Sequence, residues 1–140
     1  MTTIAEEILA FLGTGTEPLN VHDTRVPARD TDAGKVIEVP TPFVVFRPAP
    51  ATLAGRRAGV SIAAEVYTFE VVHAGVTREQ AEAARDRART RLQDQRPQHT
   101  GTKNNPIHRT ETTGLDEDPV YHAPGGVQLL FGTDTYAVVL

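Results

Sequence analysis

The 140-residue chain has no cysteine and no tryptophan, and only one serine and one methionine. The missing cysteines exclude disulfides, thiolate zinc sites and cysteine nucleophiles. The one serine, Ser61, lies outside any Gly-x-Ser-x-Gly context, so the nucleophile elbow of serine hydrolases is also missing. These absences remove several common enzyme classes before any pattern is considered.

Aromatic residues and positive charge are also scarce. Five Phe and three Tyr leave a modest core for one domain, so we expect assembly to supply part of the stability. The formal net charge of −4 argues against a nucleic-acid-binding domain. No apolar run approaches the roughly 18–20 residues of a membrane span, and the N-terminus does not resemble a signal peptide. We therefore expect a soluble single domain that covers residues 1–140.

No chemical motif emerges from the polar residues. None of the five histidines stands at the spacing of a helical or strand metal site. The acidic run Asp116-Glu117-Asp118 lacks the spacing of a calcium loop, so it is predicted to be a surface turn. We predict no catalytic residues, no metal, no cofactor and no enzyme activity.

The N-terminus predicts a short amphipathic helix over residues 3–12. Thr3 and Glu6 form a capping box, and Ile4, Ile8 and Leu12 share one helical face. Glycines follow directly and end the helix.

The chain is organised around a strand over residues 60–73 that is followed by a helix over 77–93. The strand is rich in β-branched and aromatic residues, and Ala74-Gly75 is predicted to end it. Thr77 and Gln80 form a second capping box. Small residues recur along the helix at helical spacing: Ala81, Ala84, Ala88 and Leu92. Such a stripe suits close packing on a sheet.

The remaining segments predict an α+β fold with a mostly antiparallel sheet of about four to six strands and two helices packed on it. Residues 43–46 read as a core strand, and 48–59 as a hairpin tip. Residues 27–35 read as a loop, 115–119 as an acidic turn, and the end of the chain as a strand pair. The polar stretch 94–106 is long for a structureless loop, so we expect a partner to hold it.

The charged side chains allow two interpretations. Arg85 and Arg89 have acidic residues three positions before them, Glu82 and Asp86, which favours a solvated helix face that pairs with itself. The alternative is a face that pairs with a neighbouring copy. Arg56 and Arg57 at the hairpin tip are likewise either solubility residues or partner contacts.

This order of segments resembles the tail terminator (tail completion) proteins of long-tailed bacteriophages, particularly those of actinobacterial hosts. The resemblance covers most of the chain and is strongest in the strand–Gly–capped-helix unit at 65–92 and in the closing segment from Asp116 to Tyr136. Known terminators carry no enzyme residues, so the resemblance implies a structural role.

The resemblance implies a homo-oligomer, with six copies in a ring on the head-proximal end of the tail tube. One face would stop polymerisation of the tail tube protein, and the other would meet the head-completion or neck protein. It implies a virion location after synthesis in the host cytoplasm, no membrane, and no sequence-specific nucleic acid contact although DNA passes through the ring. Candidate subunit or partner contacts are Arg56, Arg57, Arg85, Arg89, Lys103, Asn104, Asn105 and His108.

Three other functions stay open from the sequence. A head–tail connector or neck protein would also form a ring and would differ only in its neighbours. A small enzyme or ligand-binding domain would use His22, Asp23 and His122 around a concave pocket. A regulatory domain unrelated to phages would form a small oligomer without affinity for a tail tube.

Overall fold

The computed structural model describes residues 3–15, 17, 19–32, 34–48, 52–54, 64–98 and 105–139, with only the backbone described at 52–54 and 64–65. Two helices and nine strands lie in these ranges. The helices are α1 (Ile4–Leu12) and α2 (Arg78–Leu92). The strands are β1 (Asn20–Asp23), β2 (Ala28–Thr31), β3 (Gly34–Ile37), β4 (Phe43–Pro48), β5 (Thr52–Ala54), β6 (Ala64–Gly75), β7 (His108–Thr112), β8 (Asp116–His122) and β9 (Gln128–Val139).

All nine strands belong to one sheet, in the order β1-β4-β6-β9-β8-β3-β2, with β5 beside β6 and β7 beside β9. The pairs β1–β4 and β3–β8 are parallel, and the other pairs are antiparallel. The α+β class and the mostly antiparallel sheet are confirmed. The predicted count of four to six strands was too low for the residues that the structure describes.

Both helices begin as the sequence predicts, with one difference. At α1, the Thr3 hydroxyl and the Glu6 carboxylate form the complete capping box. At α2, the Thr77 hydroxyl accepts from the amide of Gln80 at 3.2 Å. The Gln80 side chain, however, accepts from the amide of Val76 at 3.1 Å, one residue before the predicted partner. The second capping box is therefore only half formed.

The two helices cover one face of the sheet. Ala81, Ala84, Ala88 and Leu92 are buried, as their spacing predicts, and they let α2 approach the strands closely. The core beneath the helices centres on Phe69 of β6, whose ring stacks on Tyr136 of β9 with centroids 5.3 Å apart. Such aromatic pairs contribute much of the buried area in a core that has few aromatic residues.

The other face of the sheet folds over a second core. Ile37 of β3 packs in the same cluster as Phe43 and Val45 of β4, although three strands separate β3 from β4 in the sheet. This contact requires the sheet to curl, so that β8, β3 and β2 cover the far face. The rings of Phe43 and Phe131 meet edge to face in this second core.

The predicted loop over 27–35 is wrong, because β2 and β3 form a hairpin there. Gly34 has a φ of +119° at the turn, and the Thr31 hydroxyl donates to its carbonyl at 2.8 Å. Residues Ala28–Thr31 are mostly exposed, since β2 lies at the end of the sheet. The polar composition of this segment therefore reflects an edge hairpin rather than a loop.

Two other predicted breaks lie inside strands. The predicted acidic turn at 115–119 is wrong, because Asp116 and Glu117 belong to β8 and pair with Phe131 and Leu130 of β9. Ala74 and Gly75, the predicted end of the strand, continue β6. All of these residues pair with β9. The backbone hydrogen bonds to that strand outweigh the low strand propensity of the residues.

Gly75 is required by close packing between β6 and α2. A Cβ there would lie 2.7 Å from the amide nitrogen of Ala81 and 2.7 Å from the Cβ of Gln80. A Cβ on Gly114, by contrast, would have no neighbouring atom within 4 Å, and the φ of Gly114 is not positive.

We predict that Gly75→Ala lowers the free energy of unfolding by about 1–3 kcal/mol, because the new methyl group pushes α2 off the sheet. Urea denaturation measures this change, with Gly114→Ala as the matched control. Equal stability of the two variants would contradict the close approach of helix and strand.

Candidate functional site

The predicted interface residues fall into three groups. Arg56, Arg57, Lys103 and Asn104 lie outside the described residues. Asn105 is partly buried and donates from Nδ2 to the carbonyl of Val139 at 2.9 Å, while His108 is exposed on β7. Arg85 and Arg89 lie together between α2 and the sheet, where they share one carboxylate.

That carboxylate belongs to Asp134 of β9, which is only 1% exposed. Arg89 binds it with both ends of its guanidinium, from Nε to Oδ2 at 2.8 Å and from Nη2 to Oδ1 at 3.2 Å. The Nε of Arg85 lies 3.7 Å from Oδ1. A bidentate pair of this kind fixes geometry as well as charge. We call Arg85, Arg89, Asp134 and His73 the arginine cluster.

The same two arginines also reach β7 and the turn after it. Arg85 donates from Nη2 to the carbonyl of Thr113 at 2.6 Å, and Arg89 donates from Nη2 to Oγ1 of Thr112 at 3.1 Å. The predicted pairing of Arg85 with Glu82 and of Arg89 with Asp86 is wrong, because both side chains turn toward the sheet. The arginine cluster therefore joins α2, β7 and β9.

His73 completes the cluster from β6. It is fully buried, it lies opposite Gly132 in the sheet, and neither ring nitrogen meets hydrogen-bond geometry with a described residue. A Cβ on Gly132 would lie 2.5 Å from Nη2 of Arg85 and 2.6 Å from Nε2 of His73. Glycine at 132 thus leaves the space that these two side chains occupy.

Burial and the charge of Arg85 lower the pKa of His73 to about 4, although Asp134 and the Val71 backbone act in the opposite direction. The imidazole is therefore neutral at pH 7. Burial alone would raise the pKa of Asp134, but hydrogen bonds from Arg89 and Thr112 and the charges of both arginines bring it below its usual value. Asp134 is ionised wherever the protein is folded near neutral pH.

The cluster carries more positive than negative charge. Two guanidinium groups share one carboxylate, and Arg109 of β7 is close enough to lower the pKa of Arg85, after burial and Arg89. Arg109 itself is exposed. The cluster therefore holds the helix to the sheet and leaves a net positive charge beside the exposed Arg109.

The chain itself holds both ends of the polar stretch 94–106. The amide of Asp94 donates to the carbonyl of Ile107 at 3.0 Å, and the amide of Ile107 donates to the carbonyl of Gln95 at 2.8 Å. The amide of Gln98 donates to the Glu7 carboxylate at 3.1 Å. Residues 99–104, the middle of the loop that a partner is expected to hold, lie outside the described residues.

A cleft of about 400 Å³ lies beside α2, between that helix and the segment after α1. Its walls carry both signs of charge, and Arg87 lies 2.9 Å from the Glu17 carboxylate. Arg91 donates to the carbonyl of Leu12 at 2.7 Å and to that of Glu17. These contacts satisfy the end of α1, so we interpret the cleft as part of the helix packing.

The ligand-binding alternative named His22, Asp23 and His122. His22 lies on β1, where its ring meets Phe43 edge to face, and burial lowers its pKa. His122 lies on β8 and lines a different region, a pocket with Val36 and Gly125. Asp23 is exposed at the end of β1. The lining of this pocket contains neither His22 nor Asp23, and no described hydrogen bond, ion pair or ring contact joins them to His122.

Within the described ranges, no group of three His, Asp or Glu side chains is placed to hold a metal ion. Neither described helix has the length and hydrophobicity needed to cross a membrane. The fold is thus an α+β domain with a curled sheet, and the arginine cluster is its most distinctive arrangement of charge.

No protein-family model matches this chain, and no curated protein matches it. Any functional assignment must therefore come from the residues and the fold.

Sequence reasoning identified the two arginines but not their partner. Asp134 follows Gly132 and Thr133 between two apolar runs, and the sequence alone assigns it no role. The spacing along the strand could have indicated its burial. Asp134 is an even number of residues from Tyr136 and Val138, so its side chain lies on the same face of the sheet, the one covered by the helices. An acid on that face needs a buried cation, and α2 supplies two beside its alanine stripe.

We predict that Asp134→Asn lowers the free energy of unfolding by about 3–5 kcal/mol, because it leaves two partly buried guanidinium groups without a counter-charge. The matched control is Asp30→Asn, which removes a surface ion pair with Lys35 and should cost about 0–1 kcal/mol. Similar losses in urea denaturation for both variants would show that the cluster does not stabilise the fold.

We also predict that stability falls as the pH drops from about 6.5 to about 4, between the ordinary pKa of histidine and that of buried His73. In this window the unfolded chain binds a proton that the folded state excludes, so the loss reaches about 3 kcal/mol. Below this window, protonation of Asp134 adds a further loss, since its pKa is also lowered on folding.

The measurement is urea denaturation as a function of pH for the wild type and His73→Leu. The variant should have a flatter profile from pH 6.5 to 4, whereas His108→Ala, which removes an exposed histidine, should follow the wild type. Parallel profiles for the wild type and His73→Leu would refute the assignment.

Proposed function

We propose that this chain is a structural virion protein that forms a ring at the head-proximal end of a phage tail tube. The ring stops polymerisation of the tube protein and joins the tail to the head. The chain is made in the host cytoplasm, and DNA passes through the ring during ejection.

The observation that carries this proposal is an open edge of the sheet. Strand β7 pairs only with β9 among the described strands, and all five of its side chains are exposed. An unpaired strand edge is a natural place for another chain to bind. A ring needs such a surface on every subunit, because its subunits contact one another head to tail.

The order of elements also supports the proposal. The N-terminal helix, the strand β4 after Pro40 and Pro42, the β5–β6 hairpin and the capped helix α2 follow the order on which the resemblance to tail terminators rests. The hairpin tip between β5 and β6 lies outside the described residues. Its strands nevertheless pair as the predicted hairpin requires.

The arginine cluster supports a rigid subunit. It fixes α2 to β9 through Asp134 and to β7 through Thr112 and Thr113. A subunit that stops a growing tube must present the same surface at every position of the ring. Charged hydrogen bonds between helix and sheet give that surface a defined shape.

We predict that a stop codon in this gene, introduced into the phage that encodes it, gives overlong tails without heads. Without a cap, addition of tube subunits has no defined end. Negative-stain electron microscopy measures tail length and head attachment, and a synonymous codon change at the same position is the control. Supply of the chain from a plasmid should restore short tails with heads.

Two other outcomes would each contradict the proposal in a different way. Tails of normal length that fail to join heads would contradict the terminator role and assign the chain to the neck. Intact, infectious particles would contradict any role in the tail.

A further inference from the structure

Strands β7 and β8 follow each other along the same side of β9. We call the segment from His108 to Pro119 the β7–β8 edge. Strand β8 meets β3 only at Tyr121 and His122, so the part of β8 within this edge has no strand on its outer side in the described structure. The β7–β8 edge therefore presents two consecutive stretches of open strand.

Arg109 and Glu117 lie on the same face of this edge. Arg109 is opposite Tyr136 of β9, and Glu117 is opposite Leu130. Tyr136 and Leu130 are six residues apart on one strand, and side chains an even number of residues apart share a face. Tyr136 packs in the core beneath the helices, so this is the helix side of the sheet. Both Arg109 and Glu117 are exposed.

On the helix side of the sheet, the two ends of the edge carry opposite charge. The acid of β7, Glu111, lies opposite Thr135 and therefore faces the other side. At the β7 end, Arg109 has no ion-pair partner among the described side chains, and Asp134 nearby is already shared by Arg85 and Arg89. At the β8 end, Asp116 and Glu117 are exposed and have no ion pair with a described residue, and Asp118 accepts from the amide of Val120. One end attracts anions and the other attracts cations.

We propose that copies of this chain associate head to tail through the β7–β8 edge, with the Arg109 end of each copy against the Glu117 end of the next. A second copy is the occupant because each chain carries both halves of the complementary pair, on the same face of the same open edge. This proposal deepens the proposed function by naming a contact surface for self-association, and it rests on that function only for the ring. Self-association through this edge requires no other phage protein.

The test is a pair of single charge reversals, Arg109→Glu and Glu117→Arg. Each variant places like charges at every contact between identical copies, so each should weaken self-association by about tenfold or more at low salt. In an equal mixture, the R109E and E117R chains present opposite charges to each other at both kinds of contact. The mixture should therefore associate as strongly as the wild type.

Sedimentation velocity over a range of protein concentrations, in about 50 mM salt, measures the association. Higher salt should weaken the wild-type assembly, since these charges are exposed. Arg25→Glu is the control, because Arg25 is an exposed cation just after β1, the strand farthest from β8 in the sheet order. It should associate as the wild type does. Circular dichroism confirms that all variants fold.

Three results would overturn the proposal: single variants that associate as the wild type does, a mixture that stays as weak as its components, or a wild type that is monomeric at about 1 mM. These results are separate from the tail phenotype. If the single variants associate normally while loss of the gene still gives overlong tails, the contact surface is wrong and the terminator role stands.

Discussion

The buried carboxylate of Asp134 is the interaction on which the arrangement of helix and sheet depends. It lies in the middle of β9, the longest-paired strand of the sheet, and it accepts two hydrogen bonds from Arg89. Because a carboxylate is costly to bury alone, its position dictates that α2 bring cations to this face. The absence of a side chain at Gly132 then makes room for Arg85 and His73.

The charged residues therefore have two roles. Those of the arginine cluster hold the subunit together, and those at the sheet edge are available to other molecules. Asp134 neutralises only one of its two arginines, and the remaining positive charge lies beside Arg109 on β7. The acids of opposite charge, Asp116 and Glu117, lie farther along the same edge of the sheet. A chain with this separation of charge along an open edge is suited to contact copies of itself, and the proposed ring requires such contacts.

Sequence patterns predicted the parts of the fold that depend on residues close together in the chain. The capping threonines and the alanine stripe of α2 follow from spacing along one helix, and the structure confirms them. The hairpin at 27–35 and the strand at Asp116 could not be predicted in the same way. Their polar and acidic residues form strands only because β3 and β9 lie beside them, which is a property of the tertiary structure. The partner of Arg85 and Arg89 was missed for the same reason, since Asp134 is 45 residues from Arg89 in the sequence.

The proposed ring and the proposed phage origin of this chain are tested together most directly by cryo-electron microscopy of the head-proximal end of a phage tail, from a phage whose genome contains this gene. We expect a closed ring of this subunit on the last layer of tube protein, with α2 fixed to the sheet and neighbouring copies in contact through the β7–β8 edge. Tail ends that lack this subunit, or that contain it as isolated copies without mutual contact, would contradict the ring.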